Sequence, residues 1–551
     1  MQSSQLSSRQ RFNVGFVAGL AAGLVATGLM LLLSVTLGGI SLPEVFGSAL
    51  TQLMPPSLFN FLHQLIGGDA KHYLFYCILV GQCLVFAVCG GLGALLFGSA
   101  RFAMMRTSWQ LGWLDGLLIG AFLWLLVGFV FLPLTGVGIF GALLVIGAVN
   151  SMLSLAVVGV VFGLLFVGIQ NWLMLRRLQK QGTATAEDIE DGRFLRRDML
   201  RSGLILLGGG TLAVLAWRFI AGTGSGVSLP AAANLANRYK NKVVPPPTPN
   251  YGNFQAVAQL SPEVTSNGQY YIVSKNLFSD PVVDGKTWQL NIHGMVDHPY
   301  TLNYNDLMAL PMKQQYESMM CISNEVGGEY MSSAKWEGVP LLDLLNRAGI
   351  KPGATKVVLS AVDDYSDSIH LVKALEPTTL LAVRMNDVTL PAGHGFPARL
   401  LVPGIYGMKH VKWIKDIEVV STDYQGYWQM RGWSDAAPIR LTSRIDTPLT
   451  GAVIPAKKPT YIAGVAFSGN KGISEVDVSL DNGNTWQTAT LKRPLSNLTW
   501  VLWELPWTPS KGGHTIIVRA IDMQGNVQDP NQAPPLPDGS AGYHTITVSA
   551  S

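Results

Sequence analysis

Two hydropathy patterns divide the chain at about Ile220. Before that point the apolar residues run on with no polar face. Such all-round apolar segments suit helices that have lipid, not water, on their outside. Val14 to Leu37 is the first and is long enough to span a bilayer. It follows Arg9 and Arg11, and no small-residue cleavage site stands behind it, so it reads as an anchor and not a removed signal. Tyr73 to Ala100 is the second, with Arg101 and Arg106 after it. Gly116 to Leu175 holds no charged residue and is broken at Pro133-Leu-Thr-Gly136, with a further turn signalled at Asn150-Ser151. Arg176, Arg177 and Lys180 close it. Basic residues on both flanks put both ends in the cytoplasm by the positive-inside rule, which requires an even number of crossings; two are expected. Gly203 to Ile220 is the fifth span. Five crossings that start inside place everything later outside, after a Pro-containing linker, Ala221–Asn250.

Beyond the linker the pattern becomes mixed. Trp288 to Val296 alternates and ends in a turn at Asp297-His-Pro299, a strand signal. Tyr304 to Pro311 reads as a short helix closed by proline, Val339 to Gly349 as an amphipathic helix with a glycine stop, and Lys356 to Val362 as a strand. After Ser443 the elements become short strands joined by turns. Asp481-Asn-Gly483 is a hairpin signal, and Trp500–Trp507 and His514–Ala520 are strands. Their spacing fits an immunoglobulin-like β-sandwich without its disulfide. The expected architecture is a transmembrane anchor region of about five spans (1–220), a linker (221–252), an α+β domain (253–443) and a β-sandwich (444–551).

Composition adds exclusions. The net charge is +4, and much of the basic excess flanks apolar spans, so no nucleic-acid surface is indicated. All nine histidines lie outside the spans and no C-x-x-C-H occurs, which argues against haem. Arg193-Phe-Leu-Arg196-Arg197 before the fifth span resembles a twin-arginine export signal; plain positive-inside flanking produces the same arginines. Asp115, near the start of the third span, is an interfacial acid.

Cys321 is the only cysteine of the polar region, so no disulfide forms within that region. A free cysteine is commonly a small core residue; a thiolate is also a soft metal ligand. A second cluster, His394-Gly-Phe-Pro-Ala-Arg399 and Gly404-Ile-Tyr-Gly407-Met408-Lys409-His-Val-Lys412-Trp413, puts an imidazole, a guanidinium, two lysines and a glycine turn within twenty residues. Arginine and glycine-flanked backbone amides are suited to phosphate. Seen alone, the segment also fits a charged-edge hairpin.

Taken in order, Cys321-x-x-Asn324, Trp336-x-Gly-Val-Pro-Leu341, Met385-Asn386, Leu390-Pro-x-x-His394-Gly-Phe-Pro-x-Arg399 and Gly407-x-Lys-x-Val-Lys412-Trp413 resemble the sulfite oxidase family of molybdopterin enzymes, from about Tyr270 onward. The resemblance implies that Cys321 is the protein thiolate on molybdenum in a molybdenum–molybdopterin cofactor. It implies that His394 and Arg399 hold the pterin and its phosphate, and that Gly407, Met408, Lys409 and Lys412 line it. Tyr271, Ser274 and Asn276 match a pterin-lining segment that departs from the family's usual Arg-Asn-His at Ser274-Lys275-Asn276. Tyr365 is the candidate catalytic residue facing the cleft. The β-sandwich resembles the family's dimerisation domain, which implies a homodimer. The implied chemistry is two-electron oxygen-atom transfer on a small substrate, with sulfite as one candidate. Electrons pass to a separate carrier or membrane redox partner, on the extracytoplasmic side of a multi-pass cell-membrane protein in contact with lipid. Sulfite oxidases carry arginines soon after the cysteine; here Ile322-Ser-Asn-Glu325 follows. An S-oxide or N-oxide reductase, and a non-catalytic binding protein on the same fold, stay open as alternatives.

Overall fold

The computed structural model describes residues 7–55, 58–59, 61–62, 70–97, 111–142, 144, 147–182, 260–276 and 280–551. The chain groups into two units. One comprises Met1–Met54, Asp69–Val227 and Asn276–Ser279; the other comprises Pro55–Gly68, Ser228–Lys275 and Asp280–Ser551.

In the first unit four helices are long and apolar enough to cross a membrane: Ser8–Thr36, Tyr73–Leu96, Trp113–Leu134 and Gly147–Lys180. They fall where the first four spans are expected. The expected fifth span at Gly203 to Ile220, the Arg196-Arg197 pair and the linker lie outside the described residues. Leu24, Leu32, Leu118 and Phe122 are more than half exposed, an outer surface suited to lipid. Inside, the helices approach through glycine. A Cβ on Gly116 would stand 2.9 Å from Gly163 O, and one on Gly90 only 2.5 Å from Gly15 O. Close backbone approach of this kind suits helices packed in lipid, where hydrophobic burial adds little. Polar groups add specific ties: Gln82 Nε2 donates to Thr27 Oγ1 at 2.8 Å, and Asn171 Nδ2 donates to Leu111 O at 2.8 Å. Asp115 caps its helix by accepting from Gly112 N at 2.6 Å.

One expectation is corrected here. Asn150-Ser151 is no turn; both are buried inside the helix Gly147–Lys180. Ser151 Oγ donates to Gly147 O at 3.1 Å, so the hydroxyl is satisfied within the helix that its polarity seemed to interrupt. The break at Pro133–Gly136 stands, with Gly136 at φ 83° just after the helix ends.

In the second unit two sheets carry the α+β part. One runs Tyr300–Asn303, Gln289–Gly294, Ile414–Val420, Lys356–Ala361, Ser366–His370 in spatial order. The other runs Lys313–Met320, Met331–Pro340, Leu380–Met385, Val388–Thr389, and Arg399–Leu401 pairs with Leu380–Met385. The helix Leu341–Ala348 buries Leu341, Leu344, Leu345 and Ala348 and stops at Gly349, φ 71°. Leu290, Ile292, Trp336, Leu359, Leu381 and Ile417 share one hydrophobic core.

The last part is two further sheets. Thr442–Thr447, Thr460–Phe467, Val501–Trp507 and Thr490–Leu491 form one; Val453–Ile454, His544–Ala550, Gly512–Asp522, Ile473–Ser479 and Gln487–Thr488 form the other. Inward-facing Ile462, Val476, Val478, Trp503, Ile516 and Val518 make a common core. Asn482 and Gly483 take positive φ, 61° and 91°, as the predicted Asp-Asn-Gly turn requires.

Candidate active site

Cys321 follows directly on the strand Lys313–Met320, whose last four residues are buried. The chain then reverses. Asn324 N donates to Cys321 O at 3.1 Å, Cys321 N donates to Tyr330 O at 2.9 Å, and Asn324 Oδ1 accepts from Tyr330 N at 2.8 Å. Asn324 thus pins the loop that presents the thiol. Cys321 is buried, with Sγ 3.0 Å from Ser323 Oγ. Burial pushes its pKa up, against smaller lowering by the Ser323 contact. A thiolate here needs a cation as compensation. Among the described residues no three His, Cys, Asp or Glu side chains gather at one point. A metal on Cys321 would therefore take its other ligands from a non-protein group.

Tyr270 and Tyr271 stack at 5.6 Å and bring in a segment far away in sequence. Asn386 holds that segment: its Nδ2 donates to Thr265 O at 2.9 Å and to Asn267 Oδ1 at 2.7 Å. Asn267 O in turn lies 2.8 Å from His394 Nε2. His394 is buried, and burial lowers its pKa to about 4, so the ring is neutral at pH 7. Tyr271 lies against Gly407, where a Cβ would come 2.8 Å from Tyr271 Oη. A side chain there would push the Tyr271 hydroxyl aside.

Arg399 is 5% exposed. Its guanidinium lies 5.3 Å from the Trp336 ring centroid, donates from Nη1 to His394 O at 3.1 Å and from Nη2 to Met319 Sδ at 3.4 Å, and Nη2 also reaches His410 O at 3.5 Å. Burial lowers its pKa, and Nε has no partner. Tyr270 Oη and Tyr271 Oη are likewise buried without partners. Buried donors are almost always satisfied in folded proteins. Three orphaned donors, of which Tyr271 Oη lies against Gly407, fit an extended group rich in acceptors, a phosphate-bearing cofactor among them.

The other candidates fall into two kinds. Lys409 is buried with Nζ 2.8 Å from Asp367 Oδ1 and 2.9 Å from Asp435 Oδ1, and it donates to Ser368 O at 2.9 Å. Its three N–H groups are used, so it holds the interior while Gly407 and Met408 offer backbone. Tyr365 supports the same turn: its hydroxyl donates to Met408 O at 2.7 Å and stands 3.0 Å from Asp367 Oδ2. Burial holds that phenol well above its usual pKa. Lys412 Nζ donates to Gly393 O at 3.2 Å and sits over Trp413 at 4.1 Å. Ser274 is half-buried in the Tyr271 segment. Asn276 belongs to the helical unit and is not grouped with these residues.

Two features escaped the motif reading. Arg431 is 4% exposed, donates from Nη1 to Tyr427 O at 2.5 Å, and lies 3.6 Å over the Tyr427 ring, while Nε and Nη2 have no partner. Tyr427 packs on Tyr365 at 5.8 Å, which joins Arg431 to the Met408 turn. A lone arginine among Tyr427, Trp428 and Trp433 was the available signal. Glu317, buried on the cysteine's own strand, is the second.

Residues 278–428 match the oxidoreductase molybdopterin binding domain, and residues 436–534 match the Mo-co oxidoreductase dimerisation domain. Sulfite oxidase of Arabidopsis thaliana is 30% identical over 334 residues, 50% of this chain and 84% of that protein. Mitochondrial sulfite oxidase of Macaca fascicularis is 32% identical over 321 residues, 49% of this chain and 58% of that protein. Sulfane dehydrogenase SoxCD from Paracoccus pantotrophus aligns with a TM-score of 0.46 at 22% identity, over 52% of this chain and 83% of that one. The chain belongs to the sulfite oxidase family of molybdopterin oxidoreductases, and the family's cofactor is the molybdenum cofactor.

Tyr271→Phe separates structural from cofactor roles. Removing an unsatisfied buried hydroxyl should leave the cofactor-free protein as stable or about 1 kcal/mol more stable. The same change should lower pterin retention on gel filtration; loss of stability with full retention would assign Tyr271 to the core.

Proposed function

We propose that this protein is a membrane-anchored molybdopterin oxidoreductase that transfers an oxygen atom to or from a small oxyanion, with sulfite the first candidate. The observation that carries it is the set of orphaned buried donors on Tyr270, Tyr271 and Arg399, with Tyr271 set against Gly407 and within electrostatic reach of the buried Cys321 thiol. Cys321 is the metal ligand. His394, Arg399, Tyr271 and the backbone of Gly407, Met408 and Lys409 hold the pterin and its phosphate, with Lys412 and Ser274 at its edge. When bound, the cofactor supplies a two-electron couple and exchanges one oxygen atom.

The chain's own residues bind, orient and exclude water. Asn324 fixes the thiol loop, and Tyr365 and Lys409 fix the turn opposite. Arg431 attracts the substrate's negative charge: two nitrogens, Nε and Nη2, unfilled in an apolar, aromatic setting favour an anion strongly. This supplies the charge that the Cys321 loop, with exposed Glu325 and no arginine, does not. In sulfite oxidation, sulfite and water give sulfate, two protons and two electrons, and the electrons leave for a separate carrier. The paired sheets at the end of the chain form an immunoglobulin-like sandwich through which two copies associate. The apolar helices anchor the enzyme with five crossings and the catalytic domain on the extracytoplasmic side; export by the twin-arginine route suits a domain that folds around its cofactor first.

Cys321→Ser tests the ligand. Turnover with sulfite, and with S-oxides in the reverse direction, should fall more than about 100-fold while circular dichroism and melting stay as in wild type, because a hydroxyl is a poor substitute for a thiolate on a soft site. Full activity in that variant contradicts the proposal. Arg431→Met should raise KM for sulfite roughly 10-fold or more with kcat much less affected, the signature of lost binding by a charge-assisted hydrogen bond. An unchanged KM would remove Arg431 from the substrate site.

A further inference from the structure

Glu317 has no part in the chemistry above and is 1% exposed. It lies on the strand Lys313–Met320, four residues ahead of Cys321. Its Oε2 accepts from Gln315 Nε2 at 2.8 Å, and the same Nε2 donates to Thr378 O at 3.0 Å. Its Oε1 has no hydrogen bond and stands 3.8 Å from His410 Nδ1. That nitrogen already accepts from Val402 N at 3.4 Å, and Nε2 faces Ile405 O at 3.2 Å. His410 is therefore the Nε2–H tautomer and has no proton for the carboxylate; burial lowers its pKa to about 3.

The charges that act on Glu317 are few. Arg399 is the nearer cation in effect, and Lys373, paired with Glu376 at 2.7 Å, is the weaker. Tyr270 and Tyr271 face it as neutral phenols. Burial outweighs the relief from Gln315 and from both cations and raises Glu317 to about 8. The acid is neutral at pH 7, and it shares neighbours with Arg399: Met319, two residues along the same strand, receives Arg399 Nη2, and His410, whose ring Oε1 faces, offers Nη2 its carbonyl, while Arg399 Nε is unfilled.

We propose that Glu317 is a proton-gated competitor for Arg399. Protonated, it leaves the guanidinium free for the anionic end of the pterin cofactor; ionised, it neutralises that guanidinium and repels the anion. The inference rests on Arg399 as a cofactor-holding residue in the reading above. It makes cofactor retention, and not only turnover, depend on pH. A phosphate monoester is already mostly doubly charged by pH 7 and adds little change above it.

Pterin release is the test: holoenzyme is incubated at about pH 7 and about pH 9.5, bound and free pterin are separated by gel filtration, and oxidised pterin is read by fluorescence. Across that window a carboxyl with pKa near 8 goes from mostly protonated to mostly ionised, so wild-type release should speed up at least about fivefold. Glu317→Gln and Glu317→Leu, both permanently neutral, should load pterin normally and change less than about twofold over the same window. Two variants guard against a folding defect in one. Flat release in pterin-loaded wild type, or a wild-type rise in either folded variant, overturns the inference alone. Protein that carries no pterin at either pH overturns the underlying reading as well.

Discussion

A guanidinium in a protein interior has to be compensated, and the site is arranged around that constraint at Arg399. Desolvating such a charge costs several kcal/mol even after relaxation. The Trp336 face, the His394 and His410 carbonyls and the Met319 thioether offset part of this. None of them carries a negative charge, and Nε is left without a partner. Leaving one buried donor unmet costs a further ~1–3 kcal/mol. At Arg399 the deficit lies next to Met319, which with Tyr271 packs against Gly407. A cofactor with an anionic end turns that deficit into binding.

The rest of the domain serves to keep those groups converged. Cys321 comes from the end of one strand, Arg399 from the start of another, and Tyr271 from a segment without regular structure. Asn386, at φ 51°, ties that segment down through Thr265 and Asn267 and so sets His394 as well. Lys409 and Tyr365 do the same for the Gly407–Lys409 turn from below, through Asp367 and Met408 O. Each anchor is a buried polar group whose bonding is complete, which is how a rigid site is built from long-range contacts.

Much of this was legible in sequence where the signal is local. Uninterrupted apolar runs marked the four long helices, Asp-Asn-Gly marked a hairpin, and the lone Cys321 with its following Asn324 marked the thiol loop. The exceptions are instructive. Asn150 and Ser151 read as a turn because polarity is visible in sequence, whereas a serine bond back to the preceding turn of helix is not. Lys409 read as a cofactor contact because its charge is visible, whereas the burial of Asp367 and the approach of Asp435 are not. Glu317 sits in an ordinary strand pattern and gains meaning only from its burial and an Oε1 left without a hydrogen bond. Arg431 depends on Tyr427 and Trp428 closing over it, a property of three-dimensional packing.

The most direct test of the central claim is molybdenum and pterin content of the purified full chain, by elemental analysis together with fluorescence of oxidised pterin. The account expects about one molybdenum and one pterin per chain, since a single thiolate and a single set of orphaned donors are present at the site. Well-folded protein free of both, after expression with ample molybdate, would contradict it and leave Cys321 a core thiol and Arg399 a structural cation.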